Sequence, residues 1–215
     1  CPAGNDIRGW LTVIQLRDKL GYSLEEAVTR AWNMEAETMP FPAVMGRVCY
    51  HPCEDACNRG VVDEAVSIHA IERFIGDLAL EQRWPAGPPP PASGKRILIV
   101  GAGPSGLSAA WQLARRGHAV SVFDDGPVAG GMMHFGIPKY RLPREVLDAE
   151  IAHIVSLGVE IQLNRRVVDL EKEKADGRFD AVFLAVGAHL SKRQEIPATD
   201  VPGICSAVEG SPVTI

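Results

Sequence analysis

Residues 96–106 read "RILIVGAGPSG", and the chain runs on through "LSAAWQLARRGHAVSVFDD" to residue 125. The apolar run 96–100 suits a parallel strand buried on both faces. Gly101, Ala102, Gly103, Pro104, Ser105 and Gly106 follow at once and match GxGxxG at the opening of a helix expected to run to about Arg116. In such a turn the first glycine permits the tight bend. The second lets the backbone approach a pyrophosphate, and the third lets helix and strand pack closely. The phosphate then rests on free N–H groups at the positive end of the helix dipole. A second strand, 119–123, ends in Asp124-Asp125, and Asp124 lies 23 positions after Gly101. An acid there meets ribose hydroxyls. The competing reading is that both aspartates cap a turn before Gly126-Pro127.

Working outward, "REVLDAEIAHIVSLG" (144–158) reads as a helix leading to "VEIQL". "FDAVFLAVGA" (179–188) reads as another buried strand ending in glycine. Strand–helix alternation of this kind builds an α/β unit with a parallel sheet. No internal repeat and no second GxGxxG are visible.

Upstream, "PAGPPPP" (85–91) and "ASGK" form an extended linker, because proline fixes φ and lacks an N–H. Residues 1–84 before it show helical periodicity and no strand-like alternation. "WLTVIQLRDKLG" ends at Gly21, a candidate C-cap, and Ser23 with Glu26 forms a capping box ahead of a second helix. A third helix is expected from Val66 to about Gln82. The division is therefore 1–84, linker 85–95, and 96–215, an α+β chain overall.

The 215 residues carry 22 Lys and Arg against 27 Asp and Glu, a net charge of −5 with the basic residues scattered. That balance argues against nucleic-acid binding through phosphates. No apolar run is long enough to span a membrane. The opening "CPAGNDIRGW" has neither an initiator Met nor the pattern of a signal peptide, so the chain is read as a cytoplasmic fragment.

Five cysteines cannot all pair internally, and Cys1, Cys49, Cys53 and Cys57 precede residue 58. Clustered thiols in such a chain point to metal. Cys49, Cys53 and Cys57 at four-residue spacing could instead line one helical face as inert core. Zinc with His51 or an upstream cysteine is a further reading, and an iron–sulfur cluster suits thiolate-rich ligation better. The six histidines show no metal spacing among themselves, and Cys205 has no motif.

"CPAGNDI", "GRVCYHPCEDAC" and "VSIHAIERF" occur in order with "GAGPSGLSAA", "VFDDGPVAGGMMHFGIPKYRL" and "DAVFLAVGA". Together these resemble the small (β) subunit of NADPH-dependent glutamate synthase and the N-terminal region of dihydropyrimidine dehydrogenase. The resemblance implies an all-helical iron–sulfur domain followed by the first part of a Rossmann-like FAD domain. It places FAD on the glycine-rich turn, with Asp124 where relatives usually have Glu. It adds Gly130, Gly131, Met132, Arg141 and Val167 as FAD contacts, the last through its backbone.

For the thiols, the resemblance implies two [4Fe–4S] clusters with interleaved ligands. Cys1, Cys49 and Cys53 would share one cluster, with Glu72 as its oxygen ligand. Cys57 would belong to the other, whose remaining cysteines would lie upstream. The competing reading of Glu72 is a plain helix carboxylate paired with Arg73 or an upstream base. Electrons from NADPH or NADH, bound outside this chain, would pass through FAD and cluster to a catalytic acceptor subunit or domain. A cofactor-binding fragment without turnover, and an NAD(P) dehydrogenase with a zinc-bound helical appendage, are the alternatives.

Overall fold

The computed structural model describes residues 1–85, 87 and 90–188. Cys205 and the end of the expected third unit lie outside them.

The amino-terminal part is helical throughout: α1 (Ile7–Gln15), α2 (Arg17–Leu20), α3 (Leu24–Ala36), α4 (Pro42–Val48), α5 (Pro52–Asp55), a 3-10 turn (Asn58–Val61) and α6 (Ile68–Glu81). Gly21 closes α2 in the left-handed conformation, φ 73°. Ser23 and Glu26 form the expected capping box, each side chain receiving the other's backbone N–H. The first expected helix is split at Leu16, and α4 and α5 are additions that short, proline-opened segments do not announce by periodicity. Helix α4 crosses α6 closely: a Cβ at Gly46 would fall 2.5 Å from the Arg73 backbone. Arg47 holds the crossing with paired hydrogen bonds to Asp77, 2.6 and 2.9 Å.

The second part alternates β1 (Arg96–Val100), α7 (Pro104–Ala114), β2 (Ala119–Phe123), α8 (Met132–Phe135), α9 (Arg144–Val155), β3 (Glu160–Gln162), α10 (Leu170–Asp176) and β4 (Ala181–Leu184). The sheet is parallel, in order β3-β2-β1-β4. This is the helical-then-Rossmann architecture expected. Strand β4 departs from expectation: its apolar run predicts burial, yet Phe183 is 41% and Leu184 55% exposed. It pairs with β1 alone, so it is an edge strand whose outer side no described residue covers.

One continuous buried cluster joins the two parts, from Trp10, Trp32, Val44 and Ile75 to Leu107, Trp111, Leu147 and Ile154. Polar contacts reinforce the seam. The α3 carbonyls at its negative end receive donors from α7: Trp111 Nε1 and Arg115 Nη1 reach Ala36 O at 2.8 and 3.1 Å. His153 of α9 stacks on Trp32, ring centres 5.2 Å apart. Glu150 of α9 is buried and accepts from the N–H groups of Ala43 and Val44, at 2.7 and 3.1 Å, in the first turn of α4. Burial pushes its pKa up to about 8, against the lowering pull of those two N–H groups and of Arg47.

Candidate functional site

The glycine-rich turn sits where β1 delivers the chain into α7. Gly101 bends at φ 111° with the β4 exit pressed against it, so a side chain there would strike the Ala185 carbonyl. Around Gly103 the space is open: a Cβ would meet nothing nearer than the Gly131 Cα at 3.9 Å. Gly131, at φ 52°, brings the second glycine pair face to face with the first, and Gly130 N–H anchors it to Ala102 O at 2.8 Å. No side chain caps α7, and Pro104 at its start has no N–H to leave unpaired. The N–H groups of Ser105 and Gly106 thus project from the helix end toward the bare backbone of both pairs. This cradle fits a pyrophosphate.

Asp124 does more than end β2. One carboxylate oxygen accepts from Ala102 N–H at 2.6 Å and the other from Gly126 N–H at 2.7 Å. It ties the phosphate turn to the following loop while lone pairs remain for hydroxyl donors. Asp125 is exposed, 3.8 Å from Arg166. Arg165 lies over the Phe123 ring at 3.6 Å and bonds Glu173 at 2.8 Å.

Met132 is 64% exposed beside the cradle, whereas Met133 is buried. Arg141 is exposed, and no hydrogen bond or ion pair engages its guanidinium among the described residues. Val167 packs its side chain against the cluster of Leu98, Val100, Phe123 and Phe179. Arg144 was not singled out from sequence. It donates to the carbonyls of Met133, Leu142 and Ile137, fixing the loop that carries Arg141. An arginine among many carries no sequence signal for such a task.

The thiols lie in the helical part, and the local backbone rules out one helical face for Cys49, Cys53 and Cys57. Cys49 is the extended C-cap of α4, His51 is left-handed at φ 44°, Cys53 lies in α5, and Cys57 is extended. Cys49 Sγ accepts from His51 N–H at 3.3 Å. Burial pushes the Cys53 thiol up, the neighbouring Glu54 and Cys49 add to that, and the Cys1 amino group works against it. Cys49 and the Cys1 amino group thus lie within electrostatic reach of Cys53, and thiolates are the donors an iron–sulfur cluster takes. Backbone N–H groups of Val66, Arg59 and Gly60 converge on Cys57 and hold its thiol below the usual range.

Glu72 is coupled not to Arg73, which pairs with Asp77 at 3.5 Å, but to the carboxyl of Glu35. Glu35 is fully buried, and neither of its oxygens has a partner within hydrogen-bond reach, so the interaction with Glu72 is a longer one. Burial, then the Glu72 charge, raises the pKa of Glu35, and burial likewise raises that of Glu72. No contact among the described residues joins Glu72 to a cysteine.

Comparison with known proteins bears on both sites. Residues 1–84 match the family described as dihydropyrimidine dehydrogenase domain II, 4Fe-4S cluster. Residues 99–161 match an NAD(P)-binding Rossmann-like domain. The chain is 39% identical to the NADP(+)-dependent formate dehydrogenase subunit beta of Moorella thermoacetica, covering 100% of this chain and 35% of that protein. It is 38% identical to the NADPH-Fe(3+) oxidoreductase subunit beta of Geobacter sulfurreducens, over 93% of this chain and 29% of that protein. The glutamate synthase [NADPH] small chain of Escherichia coli is 35% identical, over 97% of this chain and 43% of that protein.

The chain is thus similar to the glutamate synthase small chain and the formate dehydrogenase beta subunit, at 33–39% identity. It spans less than half the length of these relatives. The two domain matches give the helical part a 4Fe-4S domain and the sheet a dinucleotide-binding domain, in the order expected. No described helix is long and apolar enough to cross a membrane.

Proposed function

We propose that this chain is the flavin- and cluster-binding part of an NAD(P)H-dependent iron–sulfur oxidoreductase, relaying electrons to a partner subunit or domain. The observation that carries it is the joining of the two sites by one core: α4 ends at Cys49, begins under Glu150 of α9, and α9 packs on the helix that opens at the phosphate cradle. When bound, FAD would supply the exchange between a two-electron hydride donor and a one-electron cluster.

In this reading residues 1–84 form the cluster domain, 85–95 the linker and 96–215 the first part of the FAD domain. Ser105 and Gly106 N–H groups hold the pyrophosphate, and Gly103 and Gly131 allow its close approach. Asp124 takes ribose hydroxyls on its remaining lone pairs. Met132 and Arg141 flank the cofactor, Arg141 supplying positive charge to phosphate oxygens, and Val167 offers its backbone. Cys1, Cys49, Cys53 and Glu72 hold the cluster, and Cys57 serves a neighbouring one. The relatives' designations as small or beta subunits support a partner that takes the electrons.

The domain description over residues 99–161 favours a second reading, with NAD(P) itself on the turn. Equilibrium dialysis of the apoprotein separates them. Submicromolar FAD binding undisturbed by excess NADP supports the flavin site, and displacement of FAD by NADP overturns it.

A further inference from the structure

Along the sequence His51 and His69 are unrelated, yet folding stacks their rings with centres 4.3 Å apart and 16° between planes. Glu54 lies between the two Nδ1 atoms: its Oε1 is 2.8 Å from His69 Nδ1 and its Oε2 is 3.2 Å from His51 Nδ1. The three ligand atoms all fall within 4.8 Å of one another.

Hydrogen bonding alone does not account for this arrangement. Glu54 Oε1 already accepts from both the backbone N–H and the ring of His69, at 2.9 and 2.8 Å. His51 Nδ1 is buried and makes no hydrogen bond. His51 also adopts a left-handed backbone, a strained conformation for a non-glycine residue. Two stacked imidazoles cannot both carry charge cheaply. One cation facing two neutral rings and a carboxylate would satisfy every one of these atoms.

We propose that His51, Glu54 and His69 form a binding site for a zinc-class divalent cation, fastening the Cys53-bearing turn to the start of α6. Two imidazole nitrogens and one carboxylate oxygen are the donor set that borderline cations take. Tetrahedral bonds of about 2.0 Å place ligand atoms ~3.3 Å apart. All three ligand atoms lie within 4.8 Å of one another, and binding turns the stacked rings apart so that both lone pairs meet one ion. The fourth position belongs to water. None of the donors is a thiol, so the site is separate from the cysteine set and does not depend on the flavin or on electron transfer.

The test uses the full-length protein, purified anaerobically with its cysteines occupied by cluster, and titrated with Co²⁺ and competing Zn²⁺. The expected result is one equivalent bound, with tetrahedral visible bands and no thiolate charge-transfer band. His69→Arg keeps a positive partner for Glu54 but cannot ligate, and His51→Gln removes the other nitrogen. Each should weaken Co²⁺ binding by more than about a hundredfold, the upper end of what an outer-shell loss costs. Unchanged affinity in both variants, or a thiolate band in the wild type, would overturn the proposal.

Discussion

The two candidate cofactor sites are built on opposite principles. The dinucleotide turn is finished before any ligand arrives: Gly101, Gly103 and Gly131 shape it through backbone alone, and Asp124 locks it with two short hydrogen bonds. The thiol loop is a chain of turns whose cysteines come from the end of α4, from α5 and from the first residue, held in place by side chains. Arg47 on Asp77, Glu54 on His69 and Glu150 on α4 all brace it from outside. A backbone-made site needs few residues, and they are close in sequence. A side-chain-braced site draws its supports from 15 to 107 residues away.

If that contrast holds, substitutions should act differently on the two sides. The largest effect is expected at Gly131→Val, which adds side-chain atoms to a position at φ 52° whose Cβ would lie 2.8 Å from the Gly103 Cα. Loss of about 3 kcal/mol or more in FAD retention is expected, read as flavin absorbance surviving gel filtration, with cluster absorbance retained.

Next comes Glu150→Ala, which strands two buried N–H groups and should cost about 2–4 kcal/mol in urea unfolding. Its pH signature is specific. The unfolded carboxyl loses its proton near its ordinary value, whereas the folded one holds it up to about 8. Stability should therefore fall as pH rises between those two values, and that slope should be shallower in Glu150→Ala, with Glu35 and Glu72 supplying what remains.

Smaller still is Asp124→Ala, expected to weaken FAD by roughly 1–3 kcal/mol while Asp125→Ala changes little. Equal losses from the two would remove Asp124 from the site. The smallest effect is Cys57→Ala, expected to leave the Cys1–Cys49–Cys53 cluster's iron content and paramagnetic spectrum unaltered. In the same measurement Glu72→Ala should make one iron labile, and a spectrum indifferent to it would leave Glu72 as the buried partner of Glu35 alone.

The legibility of each part follows the same physics. The strand–turn–helix and the capping box are local, so "RILIVGAGPSG" and Ser23 with Glu26 announce them. The burial of β4 was misread because an apolar run does not distinguish a central strand from an edge one. Periodicity could not show α4 or α5, each under two full turns and opened by proline. Nor could it pair His51 with His69 or Glu35 with Glu72, since those meetings depend on how α3, α5 and α6 pack. The six histidines show no metal spacing among themselves in the sequence, and only the fold brings two of them together.

The most direct measurement is the visible and electron paramagnetic spectrum of anaerobically purified protein, with flavin, iron and sulfide assayed on the same sample. The account expects FAD near one per chain and at least about four irons with four sulfides, reducible by dithionite. Protein that folds and retains the helical part but carries neither flavin nor iron, with zinc bound by its thiols instead, would contradict it.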